Sequence, residues 1–99
     1  MNPLKLLLIL CTGDEVDKVR QLIDDHHVHG FTEITGLRGS GETGRHMGTR
    51  AFPGTASLVF TAVPAAQAAP LVADLRQLGA TCSPGEGLRV FQLDAAETV

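Results

Sequence analysis

The sequence has no tryptophan and no tyrosine, and only four phenylalanines among its 99 residues. That leaves few rings on which nucleic-acid bases could stack, and no phenol to carry a covalent modification. Positive charge is also scarce. Eight Lys and Arg stand against eleven Asp and Glu, for a formal charge of −3. A general nucleic-acid binder carries a basic field, so nucleic acid is not expected as a partner. Two cysteines, Cys11 and Cys82, are too few for the disulfide framework of a small secreted domain. The longest apolar run, Leu6 to Cys11, falls far short of the ~20 residues that a membrane span needs, so no membrane insertion is expected. Lys5 ahead of the run weakly imitates a secretory leader. No small-residue cleavage site follows, and an acidic helix pattern starts at once. The run therefore reads as a strand, the chain as cytoplasmic, and both cysteines as reduced and small apolar residues.

What is present suits one globular domain over residues 1–99: 43% hydrophobic and 19% charged residues, in a chain too short for two cores. Leu4–Cys11 is a buried strand by length and content. Thr12 with Glu15 has the capping-box pattern, and Val16, Val19, Leu22, Ile23 and His26 recur at helical spacing. Gly30 is the expected end of that helix. Phe31–Thr35 reads as a second strand and Ala56–Val63 as a third. Pro64 opens a second helix with Leu71, Val72, Leu75 and Leu78 on one side and Gly79 at its end. Pro70 predicts either a late start or a kink there. Leu88–Leu93 is the last strand.

The order β-α-β, long loop, β-α-β predicts an α+β, ferredoxin-like βαββαβ sandwich, with two helices on one face of an antiparallel sheet. The uncovered face should then alternate to polar. It does not. The first strand is apolar on both faces. In the third, Leu58, Phe60 and Ala62 face one way while Val59, Thr61 and Val63 face the other. In so short a chain, the expected cover is another copy of the same chain.

Residues 36–54 hold six of the eleven glycines and three of the six arginines, Arg38, Arg45 and Arg50. With only Glu42 opposing them, the segment carries +2 while the rest of the chain carries −5. A connection this long in a compact domain is functional or disordered. Glycines turn backbone N–H groups toward an anion, and arginines offer forks to phosphate or carboxylate. Gly39, Gly41, Arg38, Arg45, His46 and Arg50 are therefore the candidate anion and docking residues, against the plainer reading of a solvated hairpin tip. Gly39–Gly44 matches G-x-G-x-x-G in letters, but no helix follows it, so a dinucleotide fingerprint is rejected. Pro84-Gly85-Glu86-Gly87 is a second glycine turn, leading into Arg89. It is either an ordinary turn or a second jaw of the same anion site. His26, His27 and His29 follow Asp24 and Asp25, but neighbouring residues at a helix end point in different directions, so no metal site is assigned. Neither Ser40 nor Ser57 has a partnered His and Asp, so no catalytic residue is assigned and an enzyme is not expected.

In this order along the chain, Gly30-Phe31-Thr32-Glu33-Ile34-Thr35-Gly36, Val63-Pro64 and Pro84-Gly85-Glu86-Gly87 with Arg89-Val90-Phe91 resemble the PII-like signalling proteins. The segment 45–54 resembles their compact divergent branch, some of which accompany carboxysome or bicarbonate-transport genes. The resemblance implies a homotrimer, with a T-loop at about 36–54 and a B-loop at about 83–89. It implies adenine nucleotides in clefts between subunits. Thr32, Gly36 and Val63 would line the adenine and ribose side; Gly85, Gly87 and Arg89 of the neighbouring subunit would hold phosphate. Classical members have a basic residue directly after the second B-loop glycine, where this chain has Leu88, and they have C-terminal arginines that it lacks after Leu93. ATP's third phosphate is therefore expected to be poorly held, which favours ADP or AMP. Bicarbonate or another small anion suits the arginine-rich loop. No obligatory cofactor is implied. The expected function is non-enzymatic signalling through the T-loop to a partner protein, a membrane transporter or an enzyme of carbon metabolism. The rivals are a CutA-like trimer binding divalent metal through histidines, and a minor hydrolase of its bound nucleotide.

Overall fold

The computed structural model describes residues 3–12, 15–38, 56–82 and 87–99. Within them run β1 (Leu4–Cys11), α1 (Val16–Asp25), β2 (Thr32–Leu37), β3 (Ala56–Pro64), α2 (Ala65–Ala80) and β4 (Leu88–Ala95). The sheet order is β2-β3-β1-β4, with every neighbouring pair antiparallel. This is the expected ferredoxin-like sandwich. The two strands that are apolar on both faces, β1 and β3, take the central positions.

Register decides the faces, because antiparallel partners point the same way. Ile9 lies opposite Val59 and Val90, and Leu7 opposite Thr61 and Gln92. On this side, Leu7, Ile9, Cys11, Val59 and Val63 meet Val19 and Ile23 of α1 and Ala68, Leu71 and Leu75 of α2 to form one buried cluster. Each fully buried Leu, Ile or Val contributes about 1.5–3 kcal/mol relative to an exposed one. No residue of β2 belongs to the cluster.

Four local expectations are corrected. First, α1 ends at Asp25, with His27 rather than Gly30 in the left-handed conformation (φ 56°). The His27 N–H donates to the Asp24 carbonyl and the Val28 N–H to the Ile23 carbonyl. These are the two bonds of a Schellman ending, and Val28 packs on the core beside it. Second, the Thr12 hydroxyl does not cap α1: it accepts from the Gly87 N–H at 3.5 Å, and the helix has no side-chain cap. Third, of the two alternatives at Pro70 the late start does not hold: α2 begins at Ala65, directly after Pro64, and contains the proline. Pro70 removes the donor that the Ala66 carbonyl would have used, and both residues are exposed, so water can replace it. Fourth, three strands outrun their expected ends, β3 by a single residue to Pro64. β4 reaches Ala95 because Asp94 lies opposite Lys5 and accepts a charged hydrogen bond from it. β2 reaches Leu37 across an irregularity between Ile34 and Leu37, which Gly36 accommodates at φ 71°.

Candidate functional site

Among the described residues nothing covers the other face of the sheet, which is a largely apolar grid of side chains. One row reads Ile34, Leu58, Leu10, Arg89; the next reads Thr32, Phe60, Leu8, Phe91. Leu6 opposite Ala62 and Leu93 continues the grid. Ile34, Phe91 and Leu93 are 44, 49 and 48% exposed. A contiguous apolar surface of this kind marks an interaction site.

Thr32 and Arg89 stand on this face at opposite edges, on β2 and β4. Three inter-strand spacings separate them, about 14 Å. Within one chain they cannot grip the same group. Gly36 and Arg38 lie along the same edge as Thr32, and both are exposed. Val63 points the other way and is 1% exposed, so within one chain its side chain is closed to a ligand. Gly87 sits beside Arg89, tied to the end of β1: the Thr12 N–H donates to its carbonyl at 3.1 Å, and its own N–H donates to the Thr12 hydroxyl. Among the described residues other than its chain neighbours, no atom lies within 4 Å of where a Cβ on Gly87 would stand. Gly39, Gly41, Arg45, His46, Arg50 and Gly85 fall outside the described residues.

His26, His27 and His29 do not converge. His26 is half-buried, with Nε2 2.7 Å from Asp74 Oδ2 of α2. His27 turns away in the left-handed conformation and His29 is exposed. Among the described residues no three of His, Cys, Asp and Glu form a group able to hold a metal ion. No helix among them is long and apolar enough to cross a membrane.

Other polar groups near the site were not legible as such in the sequence. Glu33 points to the helix side of β2, and Arg20 of α1 clamps it with two parallel bonds, Nε to Oε1 and Nη2 to Oε2, each 2.8 Å. Asp17 accepts from the third guanidinium nitrogen. The hydrogen bond to Glu33, foremost, raises the Arg20 pKa above its ordinary value. The only advance signal for this clamp was a charged residue at the strand's core-facing position. At the end of β1, burial first, then the Glu33 and Glu15 carboxylates, push the Cys11 thiol up from 9.0 to about 11. Glu15 is itself buried, with Oε1 3.7 Å from Lys18 Nζ and Oε2 without a hydrogen bond. A thiol with so high a pKa stays protonated and is a poor nucleophile.

No family model matches the sequence, and no curated protein matches it. Solved structures do. CPII from Thiomonas intermedia K12, a nitrogen regulatory PII-like protein bound to ADP, AMP and bicarbonate, superposes with a TM-score of 0.69 at 22% identity, over 98% of this chain and 97% of its own. The fold is that of the PII-like proteins. The same CPII bound to ADP and bicarbonate gives a TM-score of 0.71 at 24% identity, over 96% of this chain and 90% of its own. A chain from Thermus thermophilus described as a PII-like signalling protein gives 0.68 at 18% identity, over 95% of this chain and 88% of its own. The PII-like likeness thus runs nearly end to end, through both helices and all four strands. Among the described residues, the separation of His26, His27 and His29 gives no support to a metal-binding trimer.

Proposed function

We propose that the chain is a non-enzymatic regulator that binds adenine nucleotide between the subunits of a homotrimer. One observation carries the reading: an apolar sheet face is left open, with the two halves of the candidate site at its opposite edges. Copies that meet over this face would bury the grid and could bring the β2 edge of one chain to the β4 edge of the next. Thr32, Gly36 and the Val63 backbone would then line the adenine and ribose. Gly85, Gly87 and Arg89 of the neighbour would hold phosphate, with the N–H groups of a glycine turn facing the anion. CPII, of the same fold, is described with ADP, AMP and bicarbonate bound, which supports this ligand class.

Residues 36–54 would form the signalling T-loop within a single domain over 1–99, and residues 83–89 the B-loop. Arg38, Arg45 and Arg50, with Gly39, Gly41 and His46, would receive bicarbonate or another small anion, or an acidic surface of a transporter or a carbon-metabolism enzyme. The chain's charge asymmetry favours this: the positive charge gathers in that segment while the rest is acidic. Ligand binding would shift the loop between conformations and so change what the partner meets.

Calorimetry with ADP, AMP and ATP, each with and without bicarbonate, tests the reading, with Zn²⁺ and Cu²⁺ as the opposing arm and product analysis after ATP incubation. ADP or AMP binding tighter than ATP is the expected result. Gly87→Asp should weaken ADP at least tenfold, about 1.4 kcal/mol. Since a Cβ at Gly87 meets no atom of the described residues beyond its chain neighbours, the variant should fold normally. Metal binding without nucleotide binding, or release of phosphate from ATP, would replace this reading with one of its rivals.

A further inference from the structure

Strand β2 is attached to the molecule in an unusual way for an element that borders a ligand site. It is an edge strand with one neighbour, β3. Its regular pairing covers Thr32, Glu33 and Ile34, then breaks before Leu37. It places no residue in the buried cluster. Its core-facing position is occupied by a carboxylate, Glu33, whose side chain is only 15% exposed. Arg20 meets that carboxylate with a two-bond fork and is itself braced by Asp17 on its own helix. Apolar packing can slide by fractions of an ångström, whereas a guanidinium fork on a carboxylate fixes both distance and plane.

We propose that the Arg20–Glu33 pair is a positioning strut, which sets the orientation of β2 and so of Thr32 and the base of the 36–54 loop relative to the nucleotide. The inference rests on the proposed nucleotide site. Glu33 and Thr32 are adjacent on the backbone and point to opposite faces, so a force applied to Glu33 from α1 is felt at Thr32 without any residue of the strut touching the ligand. Because the strand adds nothing to the buried cluster, its placement can be disturbed while the fold holds. The pair thus links helix α1 to the rim of the site, with the left-handed Gly36 three positions on from Glu33.

Arg20→Met, Glu33→Gln and the double variant test this in the full chain, by amide exchange and ADP calorimetry. Exchange over Thr32–Leu37 should speed up about tenfold in each single variant while Leu7–Ile9 in β1 stays unchanged, as local rather than global opening requires. The ADP dissociation constant should rise about fivefold in each single variant and no further in the double, the signature of two residues acting as one unit. Arg20→Lys, which keeps the charge but loses the fork, should fall between wild type and Arg20→Met. Acceleration of β1 together with β2, multiplied losses in the double variant, or unchanged ADP affinity with a loosened β2 would overturn the strut. A wild-type chain that binds none of ADP, AMP and ATP would refute the nucleotide site itself and remove the strut's role toward a ligand. The exchange pattern would then separately show whether the pair holds β2.

Discussion

On the covered face of the sheet, Leu7, Ile9, Val59 and Val63 lie wholly buried beneath two helices. One residue along the same strands, Leu8, Leu10, Leu58 and Phe60 face outward and retain solvent contact. The composition of the two faces hardly differs; their cover does. A strand buried on one side alone alternates between apolar and polar residues, and a strand buried on both does not. β1 and β3 are therefore written for burial on both sides, and the described residues of this chain cover only one of them. The difference separates what holds a subunit together from what the proposed assembly would hold together.

The contrast is tested most severely at Ile9. Ile9→Ala should cost the subunit about 4 kcal/mol, read as a shift of the urea midpoint, because the void lies under two helices and cannot collapse. Loss below about 1 kcal/mol would mean that the covered face is loosely packed. On the other face, Phe91→Asp should leave the single subunit folded, since Phe91 is 49% exposed in one chain. It should convert the oligomer to monomer in light scattering, because a charge enclosed without a partner costs several kcal/mol. An oligomer that survives this change would place the contact elsewhere.

A third measurement concerns pH at the rim of the covered face. The folded Cys11 pKa is raised, from 9.0 to about 11, by burial ahead of the neighbouring carboxylates. The folded state therefore keeps a proton that the unfolded chain releases. Its contribution is complete below pH 9 and is lost as pH climbs toward 11. Urea titrations across that window should show falling stability in the wild type and a flatter profile in Cys11→Ala. A smaller effect is expected in the covering layer. His27 holds a left-handed conformation with an exposed side chain, so His27→Gly should stabilise the subunit by about 1 kcal/mol, the strain of a side chain in that conformation. No gain would indicate that the imidazole makes a compensating interaction.

Much of the architecture was legible because it follows from side-chain period. Leu4–Cys11 and Ala56–Val63 are long apolar runs, which marked both as strands; their central places in the sheet came from the structure. Local signals were less dependable at the ends of elements. Gly30 is the residue a helix ending prefers, yet α1 ends at Asp25 and the chain turns at His27, where two backbone bonds and the packing of Val28 outweigh the cost of a left-handed side chain. Thr12 and Glu15 have the letters of a capping box, but the Thr12 hydroxyl is drawn to Gly87, 75 positions away. Of the candidate site, the sequence supplied residue types and their order. It did not reveal that Val63 is turned into the core, that Thr32 and Arg89 sit at opposite edges of one face, or that Glu33 is clamped by Arg20.

The sequence by itself determined the order of elements, the two-sided apolar character of β1 and β3, and the gathering of glycine and positive charge between residues 36 and 54. These follow from local composition and from periods of two and 3.6 residues, which need no knowledge of distant neighbours. Only the tertiary structure decided which residues of different strands share a face, where α1 and β4 end, and which charges meet. Lys5 with Asp94, His26 with Asp74 and Arg20 with Glu33 are each separated by many residues along the chain. Their pairing depends on strand register and on how each helix is seated on the sheet. Sheet register is a property of two strands at once, and no single segment carries it.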